Sequence, residues 1–206
     1  MSIARKLLMG SGGKKDSTYI DDVFSTYVYR GTGATQTINN GIDLAGEGGL
    51  VWLKSRSLSE ANVLGDTETG ITKRLYSNSA TSQAVSNMLT SANSDGFTLG
   101  TSNVTNTNNS TNVSWTFRKA PGFFDVVTYT GNGSHRDISH SLGSEPGSIW
   151  IKRTDGNESW ICYHRSLDQG GGGTASTAHM AGLELESSGG QYGGTLRWSA
   201  SGGGED

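Results

Sequence analysis

The chain has 206 residues with 31 Gly, 2 Pro, one Cys and 33% apolar residues, enough for one large or two small domains. Its apolar runs are only a handful of residues long, which excludes a spanning helix of about 20 residues, and a lone Cys162 excludes an internal disulfide or a cysteine-gripped zinc. The net charge is −3, but Arg5, Lys6, Lys14 and Lys15 precede the first acid, Asp16, so the remainder carries −7, and an acidic body argues against a nucleic-acid groove, which needs a basic face.

The first segment, Met1 to Gly10, starts basic, but its apolar stretch is too short for a secretory core and no small-residue cleavage site comes after it. A chain kept in a cytosolic setting, or packaged from one, is expected. Ile3, Leu7 and Leu8 offer an apolar grip and Arg5 and Lys6 offer charge, while Ser11 to Lys15 looks like a flexible tether. A docking peptide over residues 1–17 competes here with a frayed terminus.

From Ser17 onward the chain repeats itself. Tyr29, Gly31, Gly33 and Ile38 return as Tyr129, Gly131, Gly133 and Ile138 at a lag of 100. Leu44 then matches Leu142, and Gly49, Val51, Trp52, Leu53 and Lys54 return as Gly147, Ile149, Trp150, Ile151 and Lys152 at a lag of 98. Val63 and Leu64 answer to Ile161 and Cys162. The slip falls in a Gly/Asn-rich stretch where a loop absorbs it.

Each unit reads as β. Val23 to Arg30, Leu50 to Ser55 and Val113 to Phe117 are short β-branched and aromatic runs between Gly, Asn and Ser clusters. In the second unit the same reading falls on Phe124 to Thr130, Ser148 to Arg153 and Ser159 to His164. Thr81 to Thr90 is the one helix-like stretch, weakened by Ser and Asn. Thr101 to Asn112 reads as a long polar surface loop. The expected architecture is all-β, with two tandem antiparallel β-sandwich repeats of jelly-roll type. The first spans residues 18–120 and the second, incomplete, 121–206, with a hinge at Ala120 to Gly122. The Trp198 run stands for the Asp95 to Gly100 strand of the first unit, while the VSWTF strand has no second counterpart, so a strand edge is left for a partner chain or a further segment.

Several constellations invite chemistry. Glu184 and Glu186 are spaced to share one strand face, as paired glycosidase carboxylates do, but no third acid succeeds them and a solvated face accounts for them better. His135 and His140 flank Asp137 without a fourth donor, and the first unit carries Thr35 and Asn40 there. Cys162 and His164 lack the base geometry of a thiol nucleophile, so Cys162 reads as a small buried apolar residue. Trp52 and Trp150 could stack on sugars, but core packing inside a sandwich is the better account. No catalytic residue, cofactor site or metal site is expected.

Taken together, Tyr19 to Tyr27, Asn40 to Lys54, Leu89 to Gly100, Ser114 to Lys119, Gly122 to Gly133 and Ile149 to Arg153 resemble a family of tailed-phage virion structural proteins of the marine, cyanophage type. The resemblance implies concanavalin-like, lectin-type jelly rolls in a tail-fibre or tail-associated protein assembled in the host cytoplasm. It implies a non-enzymatic scaffold or spacer toward host attachment, docked through Ile3, Arg5, Lys6, Leu7 and Leu8 onto a tail, adaptor or nozzle protein. It also implies a homotrimer with a host surface glycan as a further partner, while the acidic body and short apolar runs argue against nucleic-acid and membrane partners. The alternative function is a glycan-binding host-receptor adhesin, and a polysaccharide depolymerase ranks below it.

Overall fold

A computed structural model describes residues 18–167 and 182–189. The docking residues Ile3, Arg5, Lys6, Leu7 and Leu8 lie outside the described residues. Among those described, the chain is built of antiparallel strands with two four-residue helices, so the all-β expectation holds.

A short helix α1 (Ile20–Val23) leads into β1 (Phe24–Arg30), succeeded by β2 (Gln36–Asn39), β3 (Gly49–Ser55), β4 (Val63–Asp66), β5 (Lys73–Tyr76), β6 (Ala84–Val85), β7 (Leu89–Asn93) and β8 (Gly96–Leu99). Helix α2 (Asn103–Asn106) then precedes β9 (Thr111–Arg118). A six-stranded sheet runs β1-β9-β3-β4-β5-β6, and a three-stranded sheet runs β2-β8-β7. Val51, Leu53 and Val63 from the larger sheet meet Ile38, Leu89, Phe97 and Leu99 from the smaller, with Ile42 and Leu44 closing the layer. That is one sandwich core, built from alternate positions of each strand.

The turn into β8 shows why a residue with no Cβ is needed. Gly96 sits at φ +137°, and a Cβ there would lie 2.0 Å from the Ile38 carbonyl oxygen, so a side chain would break the β2–β8 pairing.

β3 alternates between buried residues (Gly49, Val51, Leu53, Ser55) and half-buried ones (Leu50, Trp52, Lys54). Both faces are therefore covered. The cover on the outer face comes from the second unit, where β10 (Ser148–Ile151) pairs with β11 (Ile161–His164) and Cys162 bridges to Leu183. Its register reproduces that of the first unit. Trp52 faces Leu64 and Leu64 faces Leu75, while Trp150 faces Cys162 and Cys162 faces Leu183.

Several sequence expectations are corrected. Among the described residues, Phe124 to Thr130 joins no sheet beyond a single bridge from Phe124 to Ala120. In the first unit the matching strand, β1, is held entirely by β9, and the second unit has no described strand of that kind. Thr81 to Thr90 is not helical, because Ala84 and Val85 pair with β5 and Leu89 opens β7. The polar run from Thr101 is only partly a loop. It holds α2, and its Asn106 is 0% exposed. There the Asn106 Oδ1 accepts from Thr32 N–H at 2.9 Å, and Nδ2 donates to the carbonyls of Ala34 at 2.6 Å and Gly100 at 2.8 Å. Ala120 to Gly122 opens a turn closed by reciprocal Ala120–Phe124 backbone hydrogen bonds.

Asn106→Ala strands one N–H and two carbonyls around a buried side-chain position and should lower the unfolding free energy by about 3 kcal/mol. Asn106→Asp should cost at least as much, since it turns an acceptor toward two carbonyls. Chemical denaturation of both variants checks this.

Candidate functional site

The outer face of the six-stranded sheet carries a seam of aromatic rings. Register pairs Trp52 of β3 with Trp115 of β9, and Phe24 of β1 with Phe117 of β9. The indoles of Trp52 and Trp115 lie 5.7 Å apart at 62°, and Trp150 of the second unit meets Trp52 edge-on at 5.8 Å and 89°. The Phe117 ring sits 5.0 Å from Phe24 and 5.3 Å from Phe124, which the Ala120–Phe124 bridge folds back over the sheet. Contacts of this kind contribute about 0.5–1.5 kcal/mol each beyond the area they bury.

Polar pins flank the seam. The Trp160 indole N–H donates to the Tyr76 carbonyl at 2.8 Å, and Leu185 packs with Leu64, Leu75 and Trp160. Gln83 N–H donates to the Thr154 carbonyl and Ser82 N–H to the Asn157 amide oxygen, each at 2.9 Å. At the junction, Lys119 bridges Glu68 at 2.6 Å and Asp125 at 3.3 Å. The Glu68 bond leads in raising the Lys119 pKa. Burial pushes the Asp125 carboxyl upward, but bonds from the Ser141 N–H (2.7 Å) and hydroxyl (2.8 Å), together with Lys119, outweigh it and hold the carboxyl below its ordinary value.

The site candidates drawn from the sequence disperse. Trp52 and Trp150 do not point into the sandwich interior. They occupy the opposite face, because the interior positions of β3 are Val51 and Leu53, and Trp150 is 42% exposed. Glu184 and Glu186 share no strand face. They flank Leu185 in a turn, and the Glu186 carboxylate accepts the Trp160 backbone N–H at 3.2 Å. Cys162 is buried and His164 exposed. Burial first, and then the Glu186 charge, push the thiol up to about 11, so it stays protonated at neutral pH and is a poor nucleophile. His135 and His140 are exposed, and His140 Nδ1 accepts the Leu142 N–H at 3.3 Å. Among the described residues no three His, Cys, Asp or Glu side chains gather as metal ligands. A cavity of about 250 Å³ beside β11 has Trp150, Cys162, Leu167, Leu183 and Leu185 on its wall.

Sequence reasoning missed Lys54 and Lys152 as a matched pair of loop clamps. Lys54 Nζ donates to the Glu60 carbonyl at 2.5 Å, and Lys152 Nζ donates to the carbonyls of Arg153 at 2.8 Å and Gly156 at 3.2 Å. Their repetition at a lag of 98 was the signal that could have found them. The Phe123–Phe124 fold-back was also missed, since paired Phe residues read equally well as a strand.

Residues 19–200 match a family model described as a domain of unknown function, DUF7483, and the chain belongs to that family. No curated protein and no solved structure matches it.

Trp160→Phe keeps an aromatic ring but loses the indole N–H and part of the buried volume, and should cost about 1–3 kcal/mol, whereas Trp160→Ala should cost about 3–5 kcal/mol; equilibrium unfolding ranks the two. For Asp125 the folded carboxyl lies below its unfolded value, so its contribution is present above about pH 4 and lost as pH falls through the folded value. Asp125→Asn should therefore flatten the acid side of the melting-temperature profile and leave its shape at pH 6–8 unchanged. Thermal melts across pH read this directly.

Proposed function

We propose that this protein is a non-enzymatic structural component of a tailed-phage virion, a tail-fibre or tail-associated protein. In this reading tandem jelly-roll units serve as a rigid spacer toward host attachment, and residues 1–17 dock the chain on a tail, adaptor or nozzle protein. Support comes from the motifs that resemble that family and, above all, from the aromatic seam. Trp52, Trp115 and Trp150 pack the second hairpin against the outer face of the first sandwich, as a spacer that transmits position requires.

The non-enzymatic part of the reading is supported by how the reactive groups are employed. Glu186 is committed to a backbone N–H, Cys162 is held protonated, and Asp125 is committed to Ser141 and Lys119. A homotrimer belongs to the same proposal, to be read as three times the 21.7 kDa chain mass by light scattering.

Immunogold labelling of purified particles with an antibody to this chain should decorate the tail. Particles that carry no label, and whose peptides are missing from virion mass spectrometry, would sink the reading.

A further inference from the structure

We infer that Asn132 is a site of spontaneous covalent modification, at which the backbone nitrogen of Gly133 attacks the side-chain carboxamide and the residue ends as aspartate or isoaspartate. The grounds are two identical dipeptides in one chain, one held by the fold and one left open. The inference stands apart from the virion reading.

The chain has two Asn-Gly steps, Asn40-Gly41 and Asn132-Gly133. In such a step the glycine N–H gives up its proton to base, and its nitrogen bonds to the asparagine Cγ. The Cγ–Nδ2 bond breaks, and Nδ2 leaves as ammonia after taking a proton from water. The five-membered succinimide that remains is opened by water, giving aspartate when water adds at Cγ and isoaspartate when it adds at the main-chain carbonyl carbon. One ammonia is lost and one water is gained. Ring closure is intramolecular, so its rate is governed by how freely Cγ reaches that nitrogen. Glycine at the second position has no Cβ to obstruct the approach.

The fold treats the two steps differently. Asn40 is half-buried and fixed by its neighbours. Its backbone N–H donates to the Asp95 carbonyl at 2.9 Å, its Nδ2 donates to the Thr116 hydroxyl at 2.8 Å, and its Oδ1 accepts the Ile42 N–H at 3.3 Å. Swinging Cγ onto the Gly41 nitrogen breaks the Thr116 bond and parts this loop from the inner face of β9. Asn132 lies in a run from Val127 to Asp137 that is exposed throughout and belongs to no strand or helix. Its Oδ1 accepts the Ser134 N–H at 3.0 Å, which draws electron density from the carbonyl under attack. Its Nδ2 and the Gly133 N–H have no partner among the described residues, so the leaving nitrogen and the nucleophile are both free.

The glycines themselves do not make the difference. Their φ is +85° at Gly41 and +75° at Gly133, and a Cβ on either would meet nothing within 4 Å. The repeat adds a second comparison. Gly33, the counterpart of Gly133, has its N–H bound to the Asn106 carbonyl at 2.8 Å, and the residue before it is Thr32, which carries no carboxamide. Conversion of Asn132 adds a negative charge beside His135 and Arg136. Isoaspartate also puts an extra methylene into a turn that Arg136 closes by donating from Nη1 to the Thr130 carbonyl at 2.8 Å.

The full chain is held at 37 °C and pH 8 for several days and digested with trypsin, which places Asn132 in peptide 120–136 and Asn40 in peptide 31–54. Peptide 120–136 should gain about 1 Da and accept a labelled methyl group from S-adenosylmethionine and an isoaspartyl methyltransferase. Its conversion should run at least about tenfold faster than that of peptide 31–54. In urea that unfolds the chain, the two steps should convert at comparable rates, because the bonds that hold Asn40 are gone. Asn132→Gln, whose longer side chain would have to close a six-membered ring, should abolish both signals in peptide 120–136 and leave the unfolding curve unchanged. Equal rates at Asn40 and Asn132 in the folded chain, or an Asn132 that stays intact while the unfolded chain converts, overturn the inference. So do signals in peptide 120–136 that survive Asn132→Gln.

Discussion

β9 is the strand on which the rest of this molecule depends. It lies between β1 and β3, and its two faces do different work. Inward it presents Asn112, Ser114 and Thr116, all buried, with the Thr116 hydroxyl accepting from the Asn40 amide at 2.8 Å. Outward it presents Trp115 and Phe117, which anchor the aromatic seam. A small polar inner face lets the loop carrying Asn40 approach closely, and a large apolar outer face gives the second unit something to bury. Period-2 alternation makes both possible from one run of eight residues.

The second unit illustrates the folding of the same pattern when that strand is not among the described residues. β10 and β11 pair in the same register as β3 and β4, since the local pattern needs only its hairpin neighbour. Phe124 to Thr130 behaves otherwise. It has the composition of β1, but β1 is an edge strand whose one neighbour among the described residues is β9. Among the described residues no strand lies beside Phe124 to Thr130, and the segment is irregular. Pairing, more than composition, decides whether such a run becomes a strand.

The reactive side chains make a related point about function. Carboxylates two residues apart, a Cys near a His, and two His beside an Asp are each sequence patterns that catalysis uses. Here Glu186 caps the Trp160 backbone, Cys162 fills an apolar layer and His135 lies in the open. Each side chain's neighbours come from segments distant in the chain, so local spacing carried no information about them. The one spacing that did was the recurrence of Trp-x-Lys, because the chain had already repeated the whole environment.

By itself the sequence determined the all-β character, the short strands, the lag of the repeat and the register it implies, because these arise from side-chain alternation and turn residues within a few positions. Tertiary structure alone decided which face each indole takes. β3 is apolar on both sides, and a one-residue choice of parity sends Trp52 either to the core or to the seam. It likewise decided that Asn106, inside a run of Thr, Ser and Asn, would be fully buried. Three backbone groups from two loops, Thr32 and Ala34 before β2 and Gly100 after β8, converge there, and no local rule announces that meeting.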